Sequence, residues 1–402
     1  MIANLKRALL DQPLVLHPWA RYRARQTERR FAAWQEHYGR IARQTGLFYS
    51  VERTRDELRK RLRNRCPTLR KPGGVHSLIV TLTGNWGLAL VQELEHLGPT
   101  SVFDWEKFGF LESDPALPGK LPELNARILE FVRDAHRRCP IDWILITASG
   151  NVILRDTLRR IRDELGVPTI QQWLDCKQNF AMGKGENGQD RGQRDIASEF
   201  DLIWTSSRAM CEAYLCEGAL PLYLPEGFSP RMTPRVDCAA IHDVGFMGAR
   251  YGLRPDYVRA LAAAGIHTAV RGPGWNAGRV PLSEMGRFFA ECKVNLGFGG
   301  VGYSMELTTL KGRDFEVPGA GGVYLTSYNE DLREWFRLGE EIVCYRSIAE
   351  MVELASALLN DPSRRQCIAA AAYSRSMREH RWLHRYEKIL QLFGILPEKQ
   401  NA

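Results

Sequence analysis

Short apolar runs alternate with helical segments twice over in this chain, and the two series are parted by the linker PEGFSP at 225–230. That alternation constrains the fold more than any other feature. A strand of four to eight apolar residues, a turn and an amphipathic helix is one βα step, and successive steps close only as a parallel sheet with helices on its faces. In the first series the runs are 76–83, 100–104, 141–147, 167–173, 200–205 and 220–224. In the second they are 244–248, 268–271, 293–298, 322–326 and 342–345. A length of 402 residues suits two such domains better than one core. The expected class is α/β, with two Rossmann-like domains facing across a cleft. Ligands of such sheets sit at the carboxyl ends of the strands.

Charge divides the chain differently. Residues 1–74 hold 18 Lys and Arg against 6 Asp and Glu, whereas the remaining 328 hold 55 − 18 = 37 against 47 − 6 = 41. The basicity therefore belongs to a helical extension, ended by KPGG at 71–74. Such a segment is a solvated helical face, a surface for anionic membrane or an anionic acceptor, or, least expected because it carries no reading motif, a surface for nucleic acid. The expected domains are the extension at 1–74, an acceptor domain at 75–228, a donor domain at 229–375, and a closing helix at 376–402 that returns across the domains. No run reaches the roughly 18 apolar residues of a membrane span, and the N-terminus lacks a signal-peptide pattern. The nine cysteines show neither CxxC nor Cys/His metal spacing, as expected in a reducing cytoplasm. The expected location is cytoplasmic, with peripheral contact at the inner face of the membrane through residues 1–74.

The densest chemistry is KGRDFE at 311–316, followed by VPGAGGVYLT at 317–326. Two cations suit phosphates, a carboxylate suits vicinal hydroxyls, and glycines admit close backbone approach. In the first series GNWG at 84–87 ends the first strand; it is either a ligand-facing turn or an ordinary βα turn with a packed Trp86. Asp175, after the strand ending at Trp173, is either an acceptor contact or a helix cap. Trp275 is either a stacking surface for a base or core. The glycine-rich loop 183–192 lacks the spacing of a phosphate-binding loop and is expected to be flexible.

The ordered set of motifs resembles GT-B glycosyltransferases, specifically group 1 transferases like the spore-maturation protein CgeB family. The resemblance is carried by DVGFMG at 243–248 with Arg254, RDFE at 313–316 with Gly321, Gly322 and LT at 325–326, and EEIVCY at 340–345. NDP at 360–362, HRWLHR at 380–385, QWLD at 172–175 and LPEGFSP at 224–230 complete it. It spans residues 76–392 and leaves the extension outside.

The resemblance implies a retaining, metal-independent transfer from a nucleotide sugar, UDP- or GDP-linked, to an acceptor on a polysaccharide, lipid or protein, with no further cofactor. Lys311 and Arg313, or Arg250 and Arg254, would hold the diphosphate, and Glu316 the ribose. Gly248, Gly321, Gly322 and Phe315 would complete the donor site. Gly84, Asn85, Trp86 and Asp175 would face the acceptor, while His380 and His384 would pack the closing helix. No general base is identified. The alternatives are a nucleotide-sugar epimerase of the same architecture and a non-catalytic transferase relative that binds a partner.

Overall fold

The structure, a computed structural model, describes residues 13–65 and 67–398. Two parallel sheets form where the apolar runs predict them. The first contains β1 (Ser77–Val80), β2 (Thr100–Phe103), β3 (Trp143–Ile146), β4 (Thr169–Gln172), β5 (Leu202–Thr205) and β6 (Pro221–Tyr223), in the order β2-β1-β3-β4-β5-β6. The second contains β7 (His242–Met247), β8 (Thr268–Arg271), β9 (Cys292–Leu296), β10 (Tyr324–Ser327) and β11 (Val343–Tyr345), in the order β11-β10-β9-β7-β8. Every pairing between neighbouring strands is parallel. β1, β3, β4 and β5 are buried along their whole length. Helices cover both faces of such strands, which therefore read as continuous apolar runs.

Strand order fixes where ligands can enter. In the first sheet β1 is flanked by β2 and β3, and in the second β7 is flanked by β8 and β9. The helices after these central strands leave in opposite senses, which opens a crevice at the carboxyl ends of β1/β3 and of β7/β9.

The chain divides into two compact units. One comprises the residues up to Ala32 and Glu226–Arg381; the other comprises Ala33–Pro225 and the residues from Trp382. The described residues before Gly74 are shared between the two units. The continuous helix Pro13–Thr45 contributes to both units. Within the β7–β11 unit, Trp19 meets Tyr303 edge-on at 4.8 Å and Ser304 Oγ donates to Glu28 at 2.5 Å. Within the β1–β6 unit, the helix Val51–Leu62 buries Thr54, Leu58 and Leu62, and Thr54 Oγ1 donates to Pro221 O at 2.8 Å. Much of the basic charge found in the sequence is engaged by the fold. Arg61 donates to Phe200 O and Gly218 O, Arg65 pairs with Asp201, and Arg70 pairs with Asp142 at 2.9 Å.

The closing segment is divided too. Helix Pro362–Glu379 stays with the β7–β11 unit, and helix Trp382–Phe393 belongs to the β1–β6 unit. There Trp382 and Tyr386 pack on Trp204, Tyr386 also packs on Trp143, and its hydroxyl donates to Leu90 O at 3.3 Å. The loop 183–192, expected to be flexible, is braced instead. The buried Asp190 carboxylate accepts the N–H groups of Met182, Gly183 and Gly192, and the backbones of Lys184 and Asp190 pair as an isolated antiparallel β-bridge. Among the described residues no helix is long and apolar enough to cross a membrane.

Candidate active site

At the carboxyl ends of β7 and its neighbour β8 two turns lie against each other. Gly248 follows β7, and Gly272 follows β8 at φ +131°. A methyl group on Gly272 would lie 2.3 Å from Gly248 O, so only glycine allows this approach. Gly248 N–H donates to Arg271 O, and the Trp275 indole N–H donates to Gly248 O, both at 2.9 Å. Trp275 thus serves packing through its N–H, with the Arg250 guanidinium 5.7 Å from its ring centre.

Arg254 begins the helix Arg254–Ala263 and folds back over this turn. It donates to Ala249 O at 2.9 Å and to Tyr251 Oη at 3.0 Å, and lies 4.0 Å from the Tyr251 ring centre, with Phe246 and Phe298 each at 5.5 Å. Arg313 begins the helix Arg313–Gly319 and reaches the same strand end. Its Nε donates to Met247 O at 3.3 Å, and its Nη1 pairs with Glu316. The two guanidiniums therefore bond carbonyls two residues apart. Burial lowers the pKa of each, and the charge of Arg254 adds to the lowering at Arg313. Two partly desolvated cations in each other's field are an arrangement that an anion relieves.

The sequence assigned Arg313 to a diphosphate and Glu316 to a ribose; in the structure these two side chains are paired with each other. Glu316 is buried and paired with Arg313. Lys311 is used through its backbone, its N–H capping onto Asp314 Oδ2 at 2.8 Å. Asp314 Oδ1 accepts from the Tyr324 hydroxyl at 3.0 Å, and burial pushes this carboxyl up to about 6.

Three donor candidates lie elsewhere. Phe315 is fully buried and packs on Phe336 and His380, so its ring cannot meet a ligand. Gly321 and Gly322 stand between the end of helix Arg313–Gly319 and the start of β10, at the amino end of that strand. The seven-residue helix, about 10 Å long, separates them from Arg313. His380 is buried as a packing residue, donating from Nε2 to Trp335 O at 2.9 Å.

Other contributors were not singled out in the sequence. Glu226, in the linker, lies with its Oε2 2.9 Å from where a methyl group on Gly312 would stand, and its charge supports that of Arg313. The run GFGGVG at 297–302, directly after β9, was the missed signal. Gly297 packs under the Tyr324 hydroxyl and its carbonyl accepts from Tyr345 at 2.7 Å. Gly299 N–H donates to Ser327 Oγ at 2.7 Å. A wider hollow of about 890 Å³ follows the edge strand β8, past Arg250, Arg271 and Trp275. It lies beside the crevice and offers none of the carboxylates around Arg313.

In the β1–β6 unit the crevice at β1/β3 holds a pocket of about 200 Å³ that collects Asn85, Trp86, Trp105, Glu112, Gln172 and Asp175. Three of the acceptor-side candidates thus meet. Asp175 stands at the cap position of Cys176–Asn179 but its side chain makes no capping bond, so the capping alternative fails. Gly84 lies outside the pocket lining, with open space where a side chain would be. Gly87 has a strict role: a methyl group there would meet Leu82 O at 2.1 Å. Among the described residues no group of three or more His, Cys, Asp or Glu side chains is arranged to hold a metal ion.

Residues 254–391 match the family model of glycosyl transferase-like domains. The match begins at Arg254 and contains Arg313 and Glu316; it covers about a third of the chain. No curated protein matches the chain in sequence. Solved structures extend the likeness in fold to both units. Sucrose-phosphate synthase from Thermosynechococcus elongatus has a TM-score of 0.55 at 11% identity, covering 79% of this chain and 98% of that one. A glycosyltransferase from Rickettsia africae gives 0.54 at 7% identity, covering 80% and 99%. Anabaena HepE in complex with UDP gives 0.50 at 14%, covering 79% and 99%. The fold is GT-B, with two Rossmann-like units, and the stretch similar to glycosyl transferase-like domains runs from Arg254 in the β7–β11 unit into the closing helix Trp382–Phe393.

Proposed function

We propose that the chain is a glycosyltransferase that takes a sugar from a UDP- or GDP-linked donor in the β7–β11 unit. The observation that carries this reading is the convergence of Arg254 and Arg313 on the carboxyl end of β7, beside the glycine turns at Gly248 and Gly272. As the anomeric carbon–oxygen bond breaks, the electron pair stays on the departing diphosphate. The two guanidiniums face that growing charge from partly desolvated positions, where such contacts count for more than in open water. Glu316 holds Arg313 and accepts from ribose hydroxyls. The acceptor hydroxyl attacks the anomeric carbon and its proton passes to the departing phosphate oxygen, which supports retention of configuration without a carboxylate base. The UDP complex of the HepE structure agrees with a nucleotide donor.

The acceptor belongs to the β1–β6 unit, at Asn85, Trp86 and Asp175. The exposed stretch Arg21, Tyr22, Arg23 and Arg25 is the part of the basic segment suited to anionic lipid. Calorimetry with UDP, GDP and UDP-glucose tests the reading. Binding of one of them, weakened in Arg254→Ala and Arg313→Ala, is expected; no binding of any nucleotide would overturn it.

A further inference from the structure

Resting on that reading, we infer that the pocket at the carboxyl ends of β1, β3 and β4 binds a neutral saccharide ring, so that the acceptor is itself a glycoside. Gln172 ends β4 and is 1% exposed, yet neither its amide nitrogen nor its amide oxygen has a hydrogen-bond partner in the protein. The indole N–H of Trp105, also 1% exposed, and that of Trp173 are unpartnered too. All three residues line the same pocket. Buried polar atoms are nearly always satisfied, so three cavity-lining residues that each keep an unpartnered buried polar group mark a place where a ligand can supply bonds as the side chains turn toward it.

The set is mixed. It contains an amide that both donates and accepts, two N–H donors, and the carboxylates of Glu112 and Asp175 as acceptors. A hydroxyl both donates and accepts, so a ring of hydroxyls complements all of them. Trp86 adds a partly exposed aromatic face, 40% open, against which the apolar face of a sugar can lie. Charge excludes the main competitor. None of the residues lining the pocket is Lys or Arg, and two are carboxylates, so a phosphate or carboxylate would be repelled. Size limits the occupant further. About 200 Å³ lies below the roughly 300 Å³ at which pockets begin to enclose drug-sized ligands, which leaves room for one ring.

The test is tryptophan emission of the full chain, titrated with the methyl glycosides of glucose, galactose, mannose and N-acetylglucosamine, with and without saturating UDP. Inorganic phosphate and glycerol 3-phosphate are the comparison ligands. At least one glycoside is expected to saturate, with affinity reduced tenfold or more in Gln172→Leu and in Trp86→Ala. Trp86→Ala, at a partly exposed position, keeps the test decisive if Gln172→Leu does not fold. The inference is overturned if no glycoside saturates, if both pocket variants bind like the parent, or if glycerol 3-phosphate binds in preference. UDP titration of the same variants separates the two claims: loss of UDP binding by the parent with glycoside binding intact sinks the donor reading alone.

Discussion

Arg313 and Glu316 form an ion pair across one turn of a short helix, with Glu316 buried and Arg313 partly so. The same carboxylate that would accept ribose hydroxyls thus holds a cation for the diphosphate. Glu316→Gln should therefore weaken UDP more than pyrophosphate. A hydrogen bond to a charged group contributes about 1.5–3 kcal/mol, so UDP affinity should fall tenfold or more while pyrophosphate changes little. Competition calorimetry measures both, and equal losses would remove Glu316 from the ribose.

Arg254 bonds a carbonyl and a hydroxyl while stacking on Tyr251. A lysine can reproduce the charge but not the fork or the stack. Arg254→Lys should lower kcat/KM for the donor by about 100-fold or more, consistent with the roughly 2.7–4 kcal/mol of one preorganised transition-state contact. Donor turnover kinetics check this; activity near that of the parent would show that only the charge matters.

Asp314 gives the β7–β11 unit a pH dependence. Burial raises its carboxyl to about 6, against roughly 3.9 in an unfolded chain. The folded state thus binds more protons between these values, and its stability falls as pH rises from about 4 to 6. Above that window the ionised group costs roughly 3 kcal/mol. Asp314→Asn, which keeps the shape, should gain on the parent by up to that amount between pH 4 and pH 7. Urea unfolding at the two pH values gives the difference; a constant gap would refute it.

Gly272 and Gly84 should respond oppositely to alanine. A methyl group at Gly272 meets the Gly248 carbonyl in left-handed backbone, whereas at Gly84 it meets nothing within 4 Å. Gly272→Ala should cost more than about 1 kcal/mol, lowering Tm by several degrees, while Gly84→Ala stays within about 0.5 kcal/mol of the parent. Thermal unfolding monitored by circular dichroism decides.

Replacing Arg21, Arg23 and Arg25 by serine tests the membrane reading without disturbing the buried face of their helix. Each exposed cation near anionic lipid contributes about 1 kcal/mol. Sedimentation with phosphatidylserine vesicles should fall by two orders of magnitude or more at low salt, and the parent should itself be released at high salt. Binding that ignores both changes would rule the segment out.

What the sequence determined by itself was the succession of elements. Strands buried on both faces and the break around Pro225 are properties of short continuous stretches, and the side chains within them suffice to specify them. Tertiary structure alone decided which residues meet. Gly321 and Gly322 are near Arg313 in the chain but at the other end of a helix, and Phe315, between the charged residues, turns into the core. Arg254 and Arg313 are distant in the chain but converge because β7 pairs with β9. Likewise the basic segment 1–74 could be read as a solvated face or a membrane surface, but not as the internal partner of Asp142 and Asp201, which lie far along the chain and pair with Arg70 and Arg65. Periodicity is local and therefore legible, whereas charge neutralisation and site assembly depend on strand order, which no single segment encodes.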